Sequence, residues 1–374
     1  MKIVFSCHPT LGGSGIVATE LATALAHRGH QVHMAAVKRP YRLRDDAGVI
    51  FHKVNIPEYP LFMYPPHDLS LANKLAEIVR KFDIDIVHAH YAIPHAITAL
   101  LARQIAAPHH ARVVTTLHGT DITLVGSLAE FYDLTRYAML QSDGLTAVSD
   151  WLAAETVRRF ELEEAPEVIH NFVDTERFQP DGRAPYPEPG EPFHLLHASN
   201  LRPVKRVADI VRVFAGVQAQ IPARLTILGE GPEKGLAQEL VAELGLCGKV
   251  TFSSTADDVP AVMRSAHLNL LLSDHESFGL SALEALACGT PVAGSDSGGL
   301  PEVIEEGRTG LLCPVGEVAC TVVKSVALLK NRAEWERMSR EAAANVRERF
   351  RVERVVPKYE ALYQRVLAGR GRRR

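Results

Sequence analysis

The feature that most restricts the fold of this chain is a regular alternation of short apolar segments with amphipathic segments. Strand-like runs such as KIVFSC and DIVHAH recur through both halves of the chain. Between them, apolar residues repeat every three to four positions, which is typical of helices. Strict alternation of this kind indicates parallel sheets with helices on both faces. The sequence therefore predicts an α/β fold.

One proline-rich stretch interrupts the alternation and divides the chain. Residues 172–192 contain five prolines together with two glycines and several charges, which is typical of a linker. We expect a Rossmann-like, doubly wound domain over 1–171 and a second one over 193–351, with a terminal helix at about 352–374 packing back on the first. The pattern also predicts a connector at 56–66, continuous helix over 318–368, and a ligand-binding cleft between the domains.

Composition excludes several classes of protein. The net charge of −3 gives no general case for nucleic-acid binding. Five cysteines form no CxxC pair, and the N-terminus lacks the pattern of a signal peptide, which together predict reduced thiols and a cytoplasmic location. No apolar run approaches the ~18 residues of a membrane span, so we expect no stable membrane insertion.

The stretch from Asp274 to Gly299 is predicted to bind a ligand. The apolar run HLNLLL leads into a polar loop with Glu276, and a helix follows that carries Glu284. The start of a helix offers unpaired N–H groups to an anion such as a diphosphate. Ionised carboxylates accept hydrogen bonds from sugar hydroxyls. The pattern thus fits a nucleotide-sugar site, while a capping Glu276 and a solvated Glu284 are the alternative interpretation.

A glycine-rich loop follows the first strand and opens a helix. Its residues Gly13, Ser14 and Gly15 allow close approach of a ligand to backbone amides. The spacing imitates a dinucleotide fingerprint, but the second strand is followed by Lys38 and Arg39 and supplies no acid for a ribose. We therefore favour phosphate contact over NAD binding, with a flexible turn as the alternative.

Histidines follow two strands of the first half. His88, His90 and His95 match no standard zinc spacing, so polar ligand contacts are favoured over a metal. His118 lies at the end of the predicted strand RVVTTLHG and could hydrogen-bond a substrate hydroxyl or stabilise charge that develops on a sugar ring. A loop histidine with its hydrogen bonds satisfied within the protein is the alternative.

Three cations follow the first strand of the second half. Arg202, Lys205 and Arg206 lie within five residues, and such crowding is unfavourable unless an anion is nearby. The alternatives are a bound anion and a solvated basic face.

These motifs together resemble the retaining GT-B glycosyltransferases of family 4, which include sucrose, glycogen and mannosyl-lipid synthesising enzymes. The two glutamates with their SFG and CGTPV context and GGLPEVI carry this resemblance. CHPTLGGSGIVATELA, VHAHYAIPHA, TTLHGTDIT and SNLRPVKR are similar to the bacillithiol-pathway members of the family. Those enzymes transfer N-acetylglucosamine from UDP-GlcNAc to L-malate.

The resemblance implies roles for individual residues. Its catalytic group would be His118, Glu276 and Lys205. Donor binding would fall to Gly13, Ser14, Gly15, Arg206, Ser277, Phe278, Gly279 and Glu284, and acceptor binding to Tyr91, Thr116 and Arg136. The wider family usually has arginine where this chain has Asn200, so Arg202 or Arg206 would supply that charge.

The implied activity is retaining transfer of N-acetylglucosamine to the L-malate hydroxyl, the first step of bacillithiol biosynthesis. The sequence contains no evident DxD motif or metal cluster, so we expect no metal or other cofactor, and a homodimer is possible by analogy. Two alternatives stay open. One is a related GT-B transferase with a lipid or polysaccharide acceptor, and the other is a GT-B nucleotide-sugar epimerase or silent nucleotide-sugar-binding protein.

Overall fold

The protein is described from a computed structural model that covers residues 1–9, 12–58, 64–254, 256 and 258–371. Parts of the glycine-rich loop, of the predicted connector at 56–66 and of the basic C-terminus lie outside the described residues. The chain divides into two compact units, Met1–Asn171 with Glu353–Arg374, and Phe172–Val352.

The first unit contains a parallel sheet of seven strands in the order β3-β2-β1-β4-β5-β6-β7. The strands are β1 (Lys2–Ser6), β2 (Gln31–Ala36), β3 (Val49–Lys53), β4 (Ile86–His90), β5 (Arg112–Leu117), β6 (Gly144–Ala147) and β7 (Glu167–Val168). The helices are α1 (Gly13–His27), α2 (His67–Phe82), α3 (Ile97–Ile105), α4 (Thr120–Thr123), α5 (Ala129–Gln141) and α6 (Asp150–Phe160), with a helical turn at Ala92–Ala96.

The second unit contains a parallel sheet of six strands in the order β10-β9-β8-β11-β12-β13. The strands are β8 (Phe193–Ala198), β9 (Ala223–Leu228), β10 (Val250–Ser253), β11 (Leu268–Leu271), β12 (Val292–Ser295) and β13 (Gly310–Cys313). The helices are α7 (Val207–Gln218), α8 (Lys234–Glu243), α9 (Val259–Arg264), α10 (Leu280–Ala287), α11 (Leu300–Val303), α12 (Val318–Lys330) and α13 (Arg332–Arg349), with a 3-10 turn at Pro203–Lys205. The last helix, α14 (Val352–Leu367), belongs to the first unit from Glu353 onwards.

The central strands are buried on both faces, which explains why they are mainly apolar. β4 and β11 are buried at every position. In the second unit the core includes Phe214 and Trp335, and the Trp335 indole N–H donates to the His267 carbonyl at 2.7 Å. Both sheets are parallel and doubly wound, so the predicted α/β fold is confirmed.

The structure differs from the sequence-based expectations in three places. The predicted continuous helix over 318–368 is three helices, because Asn331 caps α13 by accepting from Glu334 N–H and the chain turns again at Phe350. Residues 172–192 belong to the second unit, where Tyr186 packs edge-on against Trp335. Cys313 and Cys320 form a disulfide, whereas all cysteines were expected to be reduced. A turn after β13 brings their Cα atoms to 6.1 Å, within the range that a disulfide spans.

Candidate active site

The strand order of the second sheet reverses between β8 and β11, and the loops after these two strands carry the predicted donor residues. Ser199–Arg206 follow β8, and Asp274–Gly279 lie between β11 and α10. Ligands of doubly wound sheets bind at the carboxyl ends of the strands beside such a reversal. The fold therefore brings Lys205 and Glu276 to the place where a ligand is expected.

Lys205 and Glu276 form an ion pair in this region. The Lys205 ammonium donates to Glu276 Oε1, and the Ser273 hydroxyl donates to the same oxygen at 2.8 Å. Both charged side chains are largely buried, with 16% and 13% of their area exposed. Because a partly buried pair is poorly screened by solvent, the two charges hold each other in place at the strand ends.

Arg206 forms a second group of charges beside this pair. Its Nη1 donates to Asp274 Oδ1 at 2.8 Å, and its Nε donates to Asp209 Oδ2 at 2.7 Å. Hydrogen bonds to the two carboxylates raise the pKa of the Arg206 guanidinium above its ordinary value, and Asp274 makes the larger contribution. Asp274 N–H also donates to the Val204 carbonyl at 2.8 Å, which joins the β8 and β11 loops.

The three cations thus have different surroundings. Lys205 and Arg206 are compensated by Glu276, Asp274 and Asp209, so carboxylates of the chain itself explain the crowding of these two cations. Arg202 is exposed and follows Asn200 by two residues. The sequence analysis did not predict Asp209 and Asp274 as partners of Arg206. The spacing of three residues between Arg206 and Asp209, at the start of a helix, is the signal that indicates the Arg206–Asp209 pair.

α10 begins immediately after the loop that carries Glu276. Ser277 and Phe278 precede it, and Gly279 with a φ of 95° is its N-cap residue. The first N–H groups of the helix have no acceptors within the helix. Glu284 lies in the second turn of α10 with only 5% of its area exposed, so the structure excludes the interpretation of Glu284 as a solvated helix residue.

Gly298 lies directly against the backbone of Glu276. A Cβ atom at Gly298 would come within 2.2 Å of the Glu276 carbonyl oxygen, and the residue has a φ of 64°. The neighbouring Gly299 N–H donates to that same carbonyl at 2.7 Å. The GG pair of the sequence therefore supports the backbone of the loop that carries Glu276.

We expect Gly298→Ala to displace this loop. Left-handed backbone at a non-glycine residue costs about 1–3 kcal/mol, and the clash with the Glu276 carbonyl adds to that cost. Thermal melts should show a lower Tm, and steady-state kinetics should show a higher KM for the donor. Gly307→Ala is the matched control, because Gly307 has a φ of 72° but nothing within 4 Å of its Cβ position. Equal kinetic effects in both variants would contradict the assignment of Gly298 to the site.

In the first unit the strand order reverses between β1 and β4, and the predicted residues again follow these strands and β5. Gly13, Ser14 and Gly15 form the first turn of α1, where backbone amides have no acceptor within the helix. Tyr91 follows β4 with a φ of 88°, and His118 follows β5. The rings of Tyr91 and His118 contact each other edge-on, with centroids 5.2 Å apart.

Asp121 connects the two loops that carry Tyr91 and His118. Its carboxylate accepts from Ala92 N–H at 3.0 Å, His118 N–H at 3.1 Å and Gly119 N–H at 2.9 Å. Burial raises the pKa of the Asp121 carboxyl to about 6, although these backbone bonds oppose the shift. Sequence reasoning gave Asp121 no role. Asp121 lies two residues after Gly119 at the end of a strand, and an aspartate in such a turn commonly accepts hydrogen bonds from nearby backbone N–H groups.

The two other predicted acceptor residues are already engaged within the protein. Thr116 is fully buried, and its hydroxyl is hydrogen-bonded to His88 Nε2 and to the Thr146 hydroxyl, each at 2.8 Å. Arg136 lies on α5 and donates from Nε to the Phe160 carbonyl at 3.0 Å. The structure brings Tyr91 and His118 together, whereas Thr116 is buried in the core.

Comparison with known proteins identifies the family of the chain. Residues 11–177 match the family described as Glycosyltransferase Family 4, and residues 178–345 match Glycosyl transferases group 1. The chain is 41% identical to an N-acetyl-alpha-D-glucosaminyl L-malate synthase of Bacillus anthracis, over 98% of this chain and 97% of that one. It is 30% identical to a D-inositol 3-phosphate glycosyltransferase of Arthrobacter, over 80% of this chain and 78% of that one.

Solved structures show the same fold. A sucrose-phosphate synthase of Thermosynechococcus elongatus superimposes with a TM-score of 0.81 at 20% identity, covering 99% of this chain and 100% of that one. HepE of Anabaena, in complex with UDP and glucose, superimposes with a TM-score of 0.80 at 20% identity, covering 96% and 98%. Among the described helices, none is long and apolar enough to cross a membrane. The family expected from the motifs is confirmed, and the chain belongs to glycosyltransferase family 4 with a GT-B fold.

Proposed function

We propose that this protein transfers N-acetylglucosamine from UDP-GlcNAc to the hydroxyl group of L-malate with retention of the α configuration, the first step of bacillithiol biosynthesis. The observation that carries the proposal is the 41% identity, over nearly the whole of both chains, to the Bacillus anthracis L-malate synthase. No other activity named among the relatives compared above has comparable coverage and identity.

The donor residues of the second unit suit this chemistry. Departure of UDP places negative charge on the leaving diphosphate, which Lys205 and the N-terminal amides of α10 can stabilise. Glu276 and Glu284 provide carboxylate oxygens that accept from sugar and ribose hydroxyls. In the route expected for retention, the leaving phosphate oxygen takes the proton of the attacking hydroxyl. No carboxylate nucleophile is then required, in contrast to many glycoside hydrolases.

A coupled assay of UDP release tests the proposal. The protein is incubated with UDP-GlcNAc alone, with L-malate, and with D-inositol 3-phosphate as the acceptor named for the more distant relatives. Rapid UDP release only with L-malate supports the proposal. Release with D-inositol 3-phosphate alone would assign the chain to the other acceptor class, and release without any acceptor would indicate hydrolysis. Conversion of UDP-GlcNAc into another UDP-sugar without net release of UDP would indicate epimerisation.

We further propose that the reaction needs no metal ion, because Lys205 and helix amides supply the positive charge that the diphosphate needs. Activity in excess EDTA is expected to equal activity in buffer alone. A complete loss that added Mg²⁺ restores would contradict this prediction. Malate binds divalent ions weakly, so the assay includes an arm in which Mg²⁺ is added without EDTA.

Arg136 is proposed to bind a carboxylate of the acceptor. Its Nε is occupied by the Phe160 carbonyl, so the contact would use the terminal nitrogens of the guanidinium. Arg136→Ala is expected to raise the KM for L-malate by about tenfold or more, with little change in the KM for UDP-GlcNAc. Arg158→Ala, which removes an exposed arginine paired with Glu155, is the control. Equal changes in both KM values would remove Arg136 from the acceptor site.

A further inference from the structure

His90 and His118 form a pair of imidazoles in the first unit. His90 is the last residue of β4 and is fully buried, and His118 follows the neighbouring strand β5. His90 Nδ1 and His118 Nε2 are 2.8 Å apart, the ring centroids are 5.0 Å apart, and the ring planes are inclined by 26°. Burial lowers the pKa of His118 to about 3 and the pKa of His90 well below its ordinary value, so both rings are neutral.

Only one proton lies between the two facing nitrogens. A neutral imidazole has one N–H and one bare nitrogen. If His118 donates from Nε2, then His90 Nδ1 is bare and the His90 proton is on Nε2. If His90 donates from Nδ1, then His90 Nε2 is bare and the proton of His118 is on Nδ1. The surroundings of His90 Nε2 therefore decide the tautomer of His118.

His90 Nε2 is buried and has no hydrogen-bond partner among the described residues. Besides His118, the rings of His88 and Phe5 lie close to His90, with centroids at 4.5 Å and 5.8 Å. Both nitrogens of His88 are already bonded, one to the Tyr363 hydroxyl and one to the Thr116 hydroxyl. A proton on His90 Nε2 would be a buried donor without an acceptor, and orphaned buried donors are rarer in proteins than under-satisfied acceptors. The bare form of Nε2 is therefore favoured.

His95, five residues further along the chain, also has one hydrogen-bonded ring nitrogen and one buried ring nitrogen without a partner among the described residues. Its Nδ1 is 2.8 Å from the Ser6 hydroxyl oxygen, and its Nε2 is the buried nitrogen. A hydroxyl can accept a hydrogen bond, so a proton on His95 Nδ1 is satisfied. Both histidines thus favour a proton on Nδ1.

We propose that His90 is a positioning residue that donates from Nδ1 to His118 Nε2 and thereby fixes His118 as its Nδ1–H tautomer. His118 is then a neutral hydrogen-bond donor toward the ligand. The sequence leaves two roles open for His118, a hydrogen bond to a substrate hydroxyl and stabilisation of charge on the sugar ring. The Nδ1–H tautomer favours the first role, with Nδ1–H donating to an oxygen of the transferred sugar. The statement about the ligand rests on the proposed function, whereas the tautomer does not.

The tautomer is measured directly by long-range ¹H–¹⁵N correlation NMR on the full chain labelled with ¹⁵N-histidine. The signals of the pair are assigned from the spectra of His90→Asn and His118→Gln. The expected result is a protonated Nδ1 and a bare Nε2 on His118 in the unsubstituted protein. A proton on His118 Nε2 would overturn the proposal, and this readout needs no turnover, so it stands even if the proposed substrates fail.

Two substitutions at His90 test the consequence for activity. Asparagine places an amide N–H₂ where Nδ1 is, and so keeps the donor. Aspartate, when ionised, only accepts and forces the opposite tautomer on His118. At mildly alkaline pH, His90→Asp is expected to lower kcat/KM for UDP-GlcNAc by about tenfold more than His90→Asn does. The KM for L-malate should change equally in the two variants. Equal kcat/KM for UDP-GlcNAc in the two folded variants would overturn the proposal.

Discussion

Lys205→Ala is expected to lower kcat for N-acetylglucosamine transfer by about 10²- to 10³-fold, the size of effect found when one group that stabilises developing negative charge is removed. The reason is that charge on the diphosphate increases as the bond to the sugar breaks. Lys205 lies in the segment that follows β8, beside the reversal of the strand order, where such a group is expected. The measurement is steady-state kinetics at saturating donor and acceptor.

Lys74→Ala is the matched control. Lys74 is paired with Glu77 on the exposed face of α2, at 2.7 Å, so its loss should leave kcat unchanged. A Lys205→Ala variant that folds with an unchanged Tm and retains kcat would contradict the role of Lys205. A higher donor KM at unchanged kcat would show that Lys205 binds the ground state and the transition state equally.

Glu276→Gln is expected to lower kcat/KM for UDP-GlcNAc on the order of 10²-fold. The substitution keeps the shape of the side chain but removes the charge that holds Lys205, and the Ser273 hydroxyl also loses its ionised acceptor. Glu306→Gln is the control, because Glu306 pairs with Lys324 at the surface. Kinetics of both variants at varied UDP-GlcNAc measure the difference, and equal values for the two would exclude Glu276 from donor binding.

The double variant Lys205→Ala/Glu276→Gln determines whether the two residues act as a unit. Residues in direct contact have non-additive effects, so the double variant should lose less than the product of the two single losses. Multiplicative losses would mean that the ion pair in the structure has no part in the transition state.

Much of the fold could be predicted from the sequence because parallel strands buried on both faces have continuous apolar runs. β4 and β11 are buried at every position and are mainly apolar, with His88, His90 and Asn269 as their polar residues. The order of the strands is not encoded in such local patterns. The reversals between β1 and β4 and between β8 and β11 depend on tertiary packing. The disulfide between Cys313 and Cys320 was missed because it depends on the turn after β13, which the spacing alone does not specify.

The site residues that could be predicted from the sequence are those in local motifs that directly follow a strand. Glu276, Lys205 and His118 each follow a strand, and strand ends in parallel sheets are where ligands bind. The partners were harder to predict because they come from distant parts of the chain. Asp274 is 68 residues from Arg206, and Tyr363 is 275 residues from His88. Thr116 was assigned to the acceptor from the family pattern, yet its hydroxyl lies in a buried network with His88 and Thr146.

This chain has Asn200 where the family usually has arginine, and the structure distinguishes the two arginines that could supply the missing charge. Arg206 is held by Asp209 and Asp274, whereas the nearby Arg202 is exposed. We therefore favour Arg202 over Arg206 as the residue that supplies the charge usual at position 200 in the family. This choice concerns only which cation contacts the diphosphate, and it leaves the roles of Lys205 and Glu276 unchanged.

¹H NMR of the product tests most directly whether N-acetylglucosamine is transferred to the malate hydroxyl with retention. The protein is incubated with UDP-GlcNAc and L-malate, and the anomeric proton is followed as the product accumulates. We predict a new α-anomeric signal with a small coupling to H2, and a mass equal to malate plus one N-acetylglucosaminyl group. A β-anomeric product, or free N-acetylglucosamine with unchanged malate, would contradict the account.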